Sequence, residues 1–316
     1  TQLVKPDVAC VLNIGTAHLG EFGGRDNIAK TKSEIFQGLS DTGTAIVPFG
    51  DDYFDTLLNN AQQFTQNILT FGERDVSLAD AGVDMQQAKE IGLTDEDTVL
   101  LMGDVFADDV EVGNTSTFSL NFNFDIDEIE SQNVTLNFAG EHNISNALAA
   151  AACAQALGLS IDDIAKGLDA AKPAKGRLNF IEFGRHTLID DTYNANPSAV
   201  IAATQVLVSQ GAPTLLVLGD IGELGDAAQE EHRKLGEAIA ASGVTVLYTV
   251  GELTPVTVAQ AQASGMQAQA YPDKATLLAA IKDKLTSSDD AWHILFKGSR
   301  YMRMEQIIDE LTRQPF

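Results

Sequence analysis

HTLIDDTYNANPSA, residues 186–199, runs from an apolar strand through a polar turn into a capped helix. Thr187, Leu188 and Ile189 read as a short buried strand. Asp190, Asp191, Thr192, Tyr193, Asn194 and Asn196 then turn the chain polar. Asn196 followed by Pro197 marks a helix start: a side-chain cap, then a residue whose φ is already set. Val200, Ala203, Val206 and Leu207 continue at helical spacing. A carboxylate-bearing loop between a parallel strand and a helix is where open α/β sheets bind ligands. It is equally the form of an ordinary capped connection.

The residues downstream keep the same alternation. Strands are predicted at 186–190, 214–220, 244–251, 266–271 and 293–297, with helices between them and a last helix over 299–313. That order implies a doubly wound, Rossmann-like parallel sheet. GDIGELG, residues 219–225, departs from GxGxxG and lacks the following acid at dinucleotide spacing, so it does not read as a dinucleotide site. Lys297, Gly298, Ser299 and Arg300 offer amides and cations between the last strand and the last helix, where a carboxylate or phosphate can sit.

Upstream, VACVLNI at 8–14 is an apolar run ended by Gly15, the pattern of a strand buried on both faces. Thr16 and His18 follow at its end. A helix is predicted over 26–38, capped by Asp26 and ended by Gly38. Ile28, Ile35, Phe36 and Leu39 form its apolar stripe, with Lys32 inside the stripe and Lys30 outside. Lys32 is therefore expected to be partly buried. It is either a snorkelling side chain or a chemically modified or catalytic lysine.

Residues 44–72 read as strand, helix, strand. TFSLNFNF and NVTLNFAG alternate apolar and polar residues, a β-rich excursion of half-exposed antiparallel strands. GEHNISNALAAAACAQALG at 140–158 is an Ala-rich helix. Asn143 and Asn146 lie about one turn apart on it, with amides that suit a nucleobase edge or, equally, a cap and one exposed amide. A helix over 161–171 and the basic KPAKGR linker end a first domain, 1–175, before a second, 176–316.

The chain has 316 residues, more than one core usually organises. A net charge of −25 argues against nucleic acid or an anionic membrane as partner. No apolar run approaches the ~20 residues of a membrane span, and nothing at the N-terminus resembles a signal peptide. Cys10 and Cys153 lie in apolar segments, as reduced thiols of a cytoplasmic protein do, although one disulfide stays open.

Seven segments resemble motifs of one family in their family order. They are NIGTAHLGEFG (13–23), KSEIF (32–36), GEHNISNALAA (140–150), KGRL (175–178), DDTYNANPSA (190–199), LGDIGELG (218–225) and FKGSR (296–300). The family is the Mur ligases, and the resemblance spans essentially the whole chain. DDTYNANPS in place of a DNPR-type pattern favours the branch that adds a dipeptide. The resemblance implies a central ATP-binding domain, here partial, followed by a Rossmann-like ligase domain. It implies an ATP-dependent ligase of the cytoplasm that joins D-alanyl-D-alanine to UDP-N-acetylmuramoyl-tripeptide through an acyl phosphate, in peptidoglycan synthesis.

Residue by residue, the resemblance implies that His18 is a metal ligand and that Lys32 carries a carbamate that helps hold Mg2+. It places Asn143 and Asn146 beside the adenine of ATP, Arg177 on ATP at the domain junction, and Asp191 near the nucleotide ribose. Asn194, Asn196, Ser198, Lys297, Ser299 and Arg300 stand where the incoming amino substrate is expected. One departure is plain: there is no GxxxxGK[ST] anywhere. The phosphate loop, a second magnesium-binding acid and the UDP-binding domain normally precede the segment seen here. The chain by itself is therefore expected to be an inactive fragment. The alternatives are a non-catalytic nucleotide-binding or interaction module and a folylpolyglutamate synthase-like ligase.

Overall fold

The computed structural model describes residues 1–15, 23–78, 81–82, 89, 94, 98–125, 128–211 and 213–313. The chain divides into two compact units, one within residues 1–171 and one holding Phe138–Gly140 and the residues from Lys172 onward.

The first unit is built on a mixed six-stranded sheet. Its elements are β1 (Val8–Cys10), α1 (Arg25–Ser33), β2 (Thr44–Pro48), α2 (Phe54–Ala61), β3 (Asn67–Phe71), β4 (Glu73–Ser77), β5 (Thr98–Met102), β6 (Val105–Glu111), β7 (Ser116–Asp125), β8 (Glu128–Leu136), α3 (Glu141–Ala156) and α4 (Ile161–Ala170). The sheet order is β1-β2-β3-β6-β7-β8, while β4 and β5 pair separately. β1, β2, β3 and β6 run parallel, and β6, β7 and β8 form an antiparallel meander. That meander is the β-rich excursion: Phe118, Leu120 and Phe122 face inward at a period of two. The small side chains of α3 bring it close to the sheet, burying Ile144, Ala147, Leu148, Ala151 and Ala152.

Two local expectations change here. β1 is a three-residue edge strand rather than a strand buried on both faces, and Leu12 beyond it is exposed. The helix predicted over 26–38 is α-helical only to Ser33 and continues as a 3₁₀ turn over Glu34–Gly38. The tighter winding changes which residues share a face from Glu34 onward. Ile28, Phe36 and Leu39 are buried, but Lys32 is exposed.

The second unit comprises β9 (Asn179–Phe183), β10 (His186–Asp191), α5 (Pro197–Ser209), β11 (Thr214–Gly219), α6 (Ala228–Ala241), β12 (Val246–Val250), α7 (Thr254–Ala263), β13 (Gln267–Tyr271), α8 (Lys274–Thr286), β14 (His293–Lys297) and α9 (Glu305–Arg313). Its sheet order is β13-β12-β11-β14-β10-β9. All neighbours are parallel except β9, a hairpin partner of β10 that closes the edge. Gly184 turns that hairpin at a φ of 59°.

Alternate residues of each strand feed opposite faces. Ile189, Leu216, Leu218 and Leu295 pack against Val200, Leu207, Leu235, Ile239 and Val258 of α5, α6 and α7. Leu188, Val217, Ile294 and Phe296 pack against Leu277, Ile281, Ile307 and Leu311 of α8 and α9. Helices therefore cover both faces of the sheet, the doubly wound arrangement. The last helix differs from the prediction over 299–313: a 3₁₀ turn at Arg300–Met302 precedes α9. Arg303 between them is left-handed, with a φ of 47°.

Among the described residues no helix is long and apolar enough to cross a membrane. Cys10 and Cys153 are free thiols, each partly exposed.

Candidate functional site

Polar groups concentrate in two places, one in each unit. In the first unit they gather beyond the C-terminal ends of β1 and β2. Asp51 follows β2, and its two oxygens accept the backbone N–H groups of Ile14 at 2.7 Å and Tyr53 at 2.9 Å. Arg25 donates to the Ile14 carbonyl at 2.9 Å and pairs with Asp52 at 2.9 Å. Tyr53 donates its hydroxyl to Asp26 at 2.6 Å.

Lys32 reaches this cluster from α1, donating Nζ to the Asn13 carbonyl at 2.8 Å. Burial of the ammonium pushes its pKa below the ordinary lysine value, against the opposing pull of the Asp51 carboxylate. Lys32 is exposed as a residue, while its ammonium is held against the Asn13 carbonyl beside Asp51. His18 lies outside the described residues. Among the described residues no three His, Cys, Asp or Glu side chains gather as a metal site.

Beside this cluster is a hollow of about 400 Å³ that Asn13, Gly50, Asp51, Glu73, Glu141 and Ser145 help to line. Asn143 and Asn146 face one side of α3, and Asn146 donates its amide to Asn143 Oδ1 at 3.2 Å. Helical spacing brings the two together, as predicted, although neither lines that hollow.

In the second unit the carboxyl ends of β10, β11 and β14 meet, where the chain leaves the β10 side of the sheet and returns between β10 and β11. A cleft of about 780 Å³ opens there, lined by Asn194, Glu223, Ser299, Arg300, Arg303 and Glu305 among others. The order of the strands puts a cavity at this switch point, because loops on either side diverge.

The segment around Asn194 is held from several directions. Asn196 accepts from the Ala199 N–H at 2.8 Å and caps α5, and Ser198 donates to the same oxygen at 2.9 Å. Asn194 Oδ1 accepts the Arg300 N–H at 3.3 Å. Ser299 is buried, accepting the Gly222 N–H at 2.7 Å and donating to the Ala195 carbonyl at 3.4 Å. Ser299 therefore joins three loops, while Asn196 and Ser198 satisfy a helix end.

Asp191 and Lys297, expected to serve a nucleotide and an amino substrate separately, are paired. Lys297 Nζ lies 2.5 Å from Asp191 Oδ2 and also donates to the Asn194 carbonyl at 3.0 Å. Lys297 is 3% exposed and Asp191 8%. The pairing follows from register, since Asp191 and Lys297 stand opposite each other on parallel neighbours. Asp191 Oδ1 also accepts the Leu178 N–H at 3.3 Å. Arg177, one residue earlier, lays its guanidinium 4.4 Å from the centroid of the Tyr193 ring. Arg300 approaches the same ring at 5.9 Å. Tyr193 is 49% exposed and carries both cations on one aromatic support.

Some residues that build this site were not singled out from the sequence. Asp220, at the end of β11, accepts the N–H groups of Glu252, Leu253 and Thr254 at 2.7–3.0 Å and anchors the start of α7. Its signal was its place within LGDIGELG. His232 fixes the same glycine-rich loop: Nδ1 donates to the Ala228 carbonyl at 2.8 Å, and Nε2 accepts the Ile221 N–H at 3.3 Å. Glu305 and Arg303 line the cleft from the last helix and the turn before it. No local pattern marked them, because the break at Arg303 was hidden inside a predicted helix.

Comparison with known proteins follows the same division. Residues 1–154 match the Mur ligase middle domain, and residues 176–300 match the Mur ligase glutamate ligase domain. UDP-N-acetylmuramoyl-tripeptide–D-alanyl-D-alanine ligase of Escherichia coli strain K12 is 34% identical over 314 residues, 98% of this chain and 61% of that protein. The enzyme of the same name from Bacillus subtilis strain 168 is 31% identical over 321 residues, 100% of this chain and 61% of its own. A crystal structure of MurF from Acinetobacter baumannii superposes with a TM-score of 0.82 at 39% identity, covering 99% of this chain and 61% of that one. The chain thus spans about three fifths of the length of these relatives.

Proposed function

Because the chain belongs to the Mur ligase family, we propose that it serves an ATP-dependent ligase joining D-alanyl-D-alanine to UDP-N-acetylmuramoyl-tripeptide. The setting is the synthesis of peptidoglycan precursors in the cytoplasm. The observation that carries this reading is the likeness, over 98% of the chain, to a ligase of that name. In this chemistry ATP phosphorylates the terminal carboxylate of the tripeptide. The dipeptide amine then attacks the acyl carbon, the C–N bond forms, the C–O bond to phosphate breaks, and inorganic phosphate leaves.

The roles follow the two clusters. In the first unit, Asn143 and Asn146 are assigned to the adenine edge and Lys32 to metal binding, with His18 as a second ligand. The lowered pKa of Lys32 supports this, because a larger neutral fraction can add carbon dioxide with loss of a proton. The resulting carbamate has two oxygens, which suit a hard cation. Magnesium, when bound, offsets the repulsion between ATP and the anionic acceptor.

In the second unit, Arg177 and Asp191 are assigned to the nucleotide. The amino substrate belongs in the cleft of Asn194, Ser299 and Arg300, with Asn196, Ser198 and Lys297 beneath it. Arg300 supplies a planar cation for the dipeptide carboxylate. Lys297 is better read as scaffold than as a direct contact, since Asp191 and Asn194 already take its hydrogen bonds.

Titration of the isotope-labelled chain with D-alanyl-D-alanine tests the reading. Saturable shifts at Asn194, Ser299, Arg300 and Tyr301 are expected. Saturation confined to the cluster around Lys32 and Asp51, or equal competition by free glutamate, would refute the assignment.

A further inference from the structure

Glu305 opens α9 on the wall of the second-unit cleft. Its Oε1 accepts from Arg300 Nη1 at 3.1 Å. Its Oε2 is buried and has no hydrogen-bond partner among the described residues. A buried, unpaired carboxylate oxygen is costly. Stabilising the start of a helix does not need it, because an exposed carboxylate gains as much from the helix dipole.

The two side chains differ in exposure: Arg300 is 60% exposed and Glu305 only 22%. The carboxylate is therefore part of the wall, and the guanidinium stands in the cleft. Arg300 is fixed at its backbone by Asn194 Oδ1 and flanked by the Tyr193 ring. Among the described residues, Glu305 is the one carboxylate that pairs with it.

We propose that Glu305 is a positioning residue that holds the Arg300 guanidinium so that its other N–H groups meet the carboxylate of the incoming dipeptide. This rests on the reading that the cleft takes D-alanyl-D-alanine. An arginine anchored at one edge presents its remaining donors in a fixed plane, matched to a carboxylate. Without the anchor, the long side chain must be ordered at each binding event. That ordering weakens binding by about three- to tenfold.

The test compares calorimetric affinities for D-alanyl-D-alanine and D-alanyl-D-alaninamide, which lacks the carboxylate. The proteins are the wild-type chain, Glu305→Gln, Arg300→Ala and the double variant. The wild type should prefer the free carboxylate, and Glu305→Gln should cut that preference about three- to tenfold. With Ala at 300, adding Glu305→Gln should change nothing further, since its effect runs through Arg300. A purely structural Glu305 would lower thermal stability and leave the preference intact, which overturns the proposal. If Arg300→Ala removes the preference and Glu305→Gln does not, the positioning role alone fails. If the wild type binds neither compound, or binds both equally, the dipeptide reading of the cleft falls and the proposal with it.

Discussion

Replacing Lys297 by Met should unfold the second unit far more readily than an average substitution. The ammonium is almost fully buried, 2.5 Å from Asp191 Oδ2 and 3.0 Å from the Asn194 carbonyl. Methionine keeps most of the apolar stem, so the packing loss is small. What remains is a buried Asp191 carboxylate whose Oδ2 has lost its cation, while Oδ1 keeps the Leu178 N–H at 3.3 Å. Breaking one side of a buried pair costs about 3–5 kcal/mol.

Trp292 is the chain's one tryptophan and is buried in the core of the same unit, so its fluorescence reports the relevant unfolding in urea. Lys297→Met should lower the unfolding free energy by about 3–5 kcal/mol. Pairing it with Asp191→Leu should return much of the loss, because no buried charge is then left alone. A loss below about 1 kcal/mol for Lys297→Met would mean that the pair behaves as a solvated surface bridge. The scaffold reading of Lys297 would then be wrong.

Gly251 sits at a φ of 146°, and a Cβ there would fall 2.2 Å from Asp220 Oδ1. Gly251→Ala should cost about 2–4 kcal/mol and loosen the start of α7, measurable by hydrogen exchange at Glu252, Leu253 and Thr254; unchanged protection would refute it. Burial, with the nearby Arg185 cation adding to it, holds the His186 pKa below its ordinary value, and burial alone does so for His293. The unfolded chain therefore takes up these protons first. Stability should be full above pH ~6.5 and fall as pH drops through the folded-state values. His186→Gln should flatten that slope in urea titrations across this range, and an unchanged slope would clear His186 of the role. In the gene product carrying these residues, Lys32→Ala should abolish ligation, and short-chain carboxylates should partly restore it. Full activity in the Ala variant would remove Lys32 from the mechanism.

The second unit was legible because its strands are short apolar runs punctuated by turns, and Asn196-Pro197 marks a helix start that packing does not override. Its antiparallel β9 was not, since NFIEF borders a basic segment read as linker. In the first unit the alternation of TFSLNFNF predicts β7, whereas the apolar stripe places Lys32 deeper than it lies. A 100° step assumes one helix type, and the 3₁₀ winding from Glu34 alters how Ile35 and Phe36 line up with Ile28 and Lys32, which are still α-helical. The candidate site shows the same division. Residues carried by motifs, such as Asn194 and Ser299, meet around one cleft. The pairing of Asp191 with Lys297 depends on strand register across 106 positions, which local patterns do not encode. Glu305 matters through what it holds and lies in no spacing that declares it, whereas Asp220 stands inside the LGDIGELG segment.

Ligation itself is the most direct test that these residues serve a dipeptide-adding ligase. The gene product carrying these residues is incubated with ATP, Mg2+, UDP-N-acetylmuramoyl-tripeptide and D-alanyl-D-alanine, and phosphate and product are measured together. One phosphate should be released per amide formed, with both falling to background when the dipeptide is omitted or replaced by its N-acetyl derivative. Amide formation with glutamate or a single amino acid in place of the dipeptide, or phosphate release independent of the dipeptide, would contradict it.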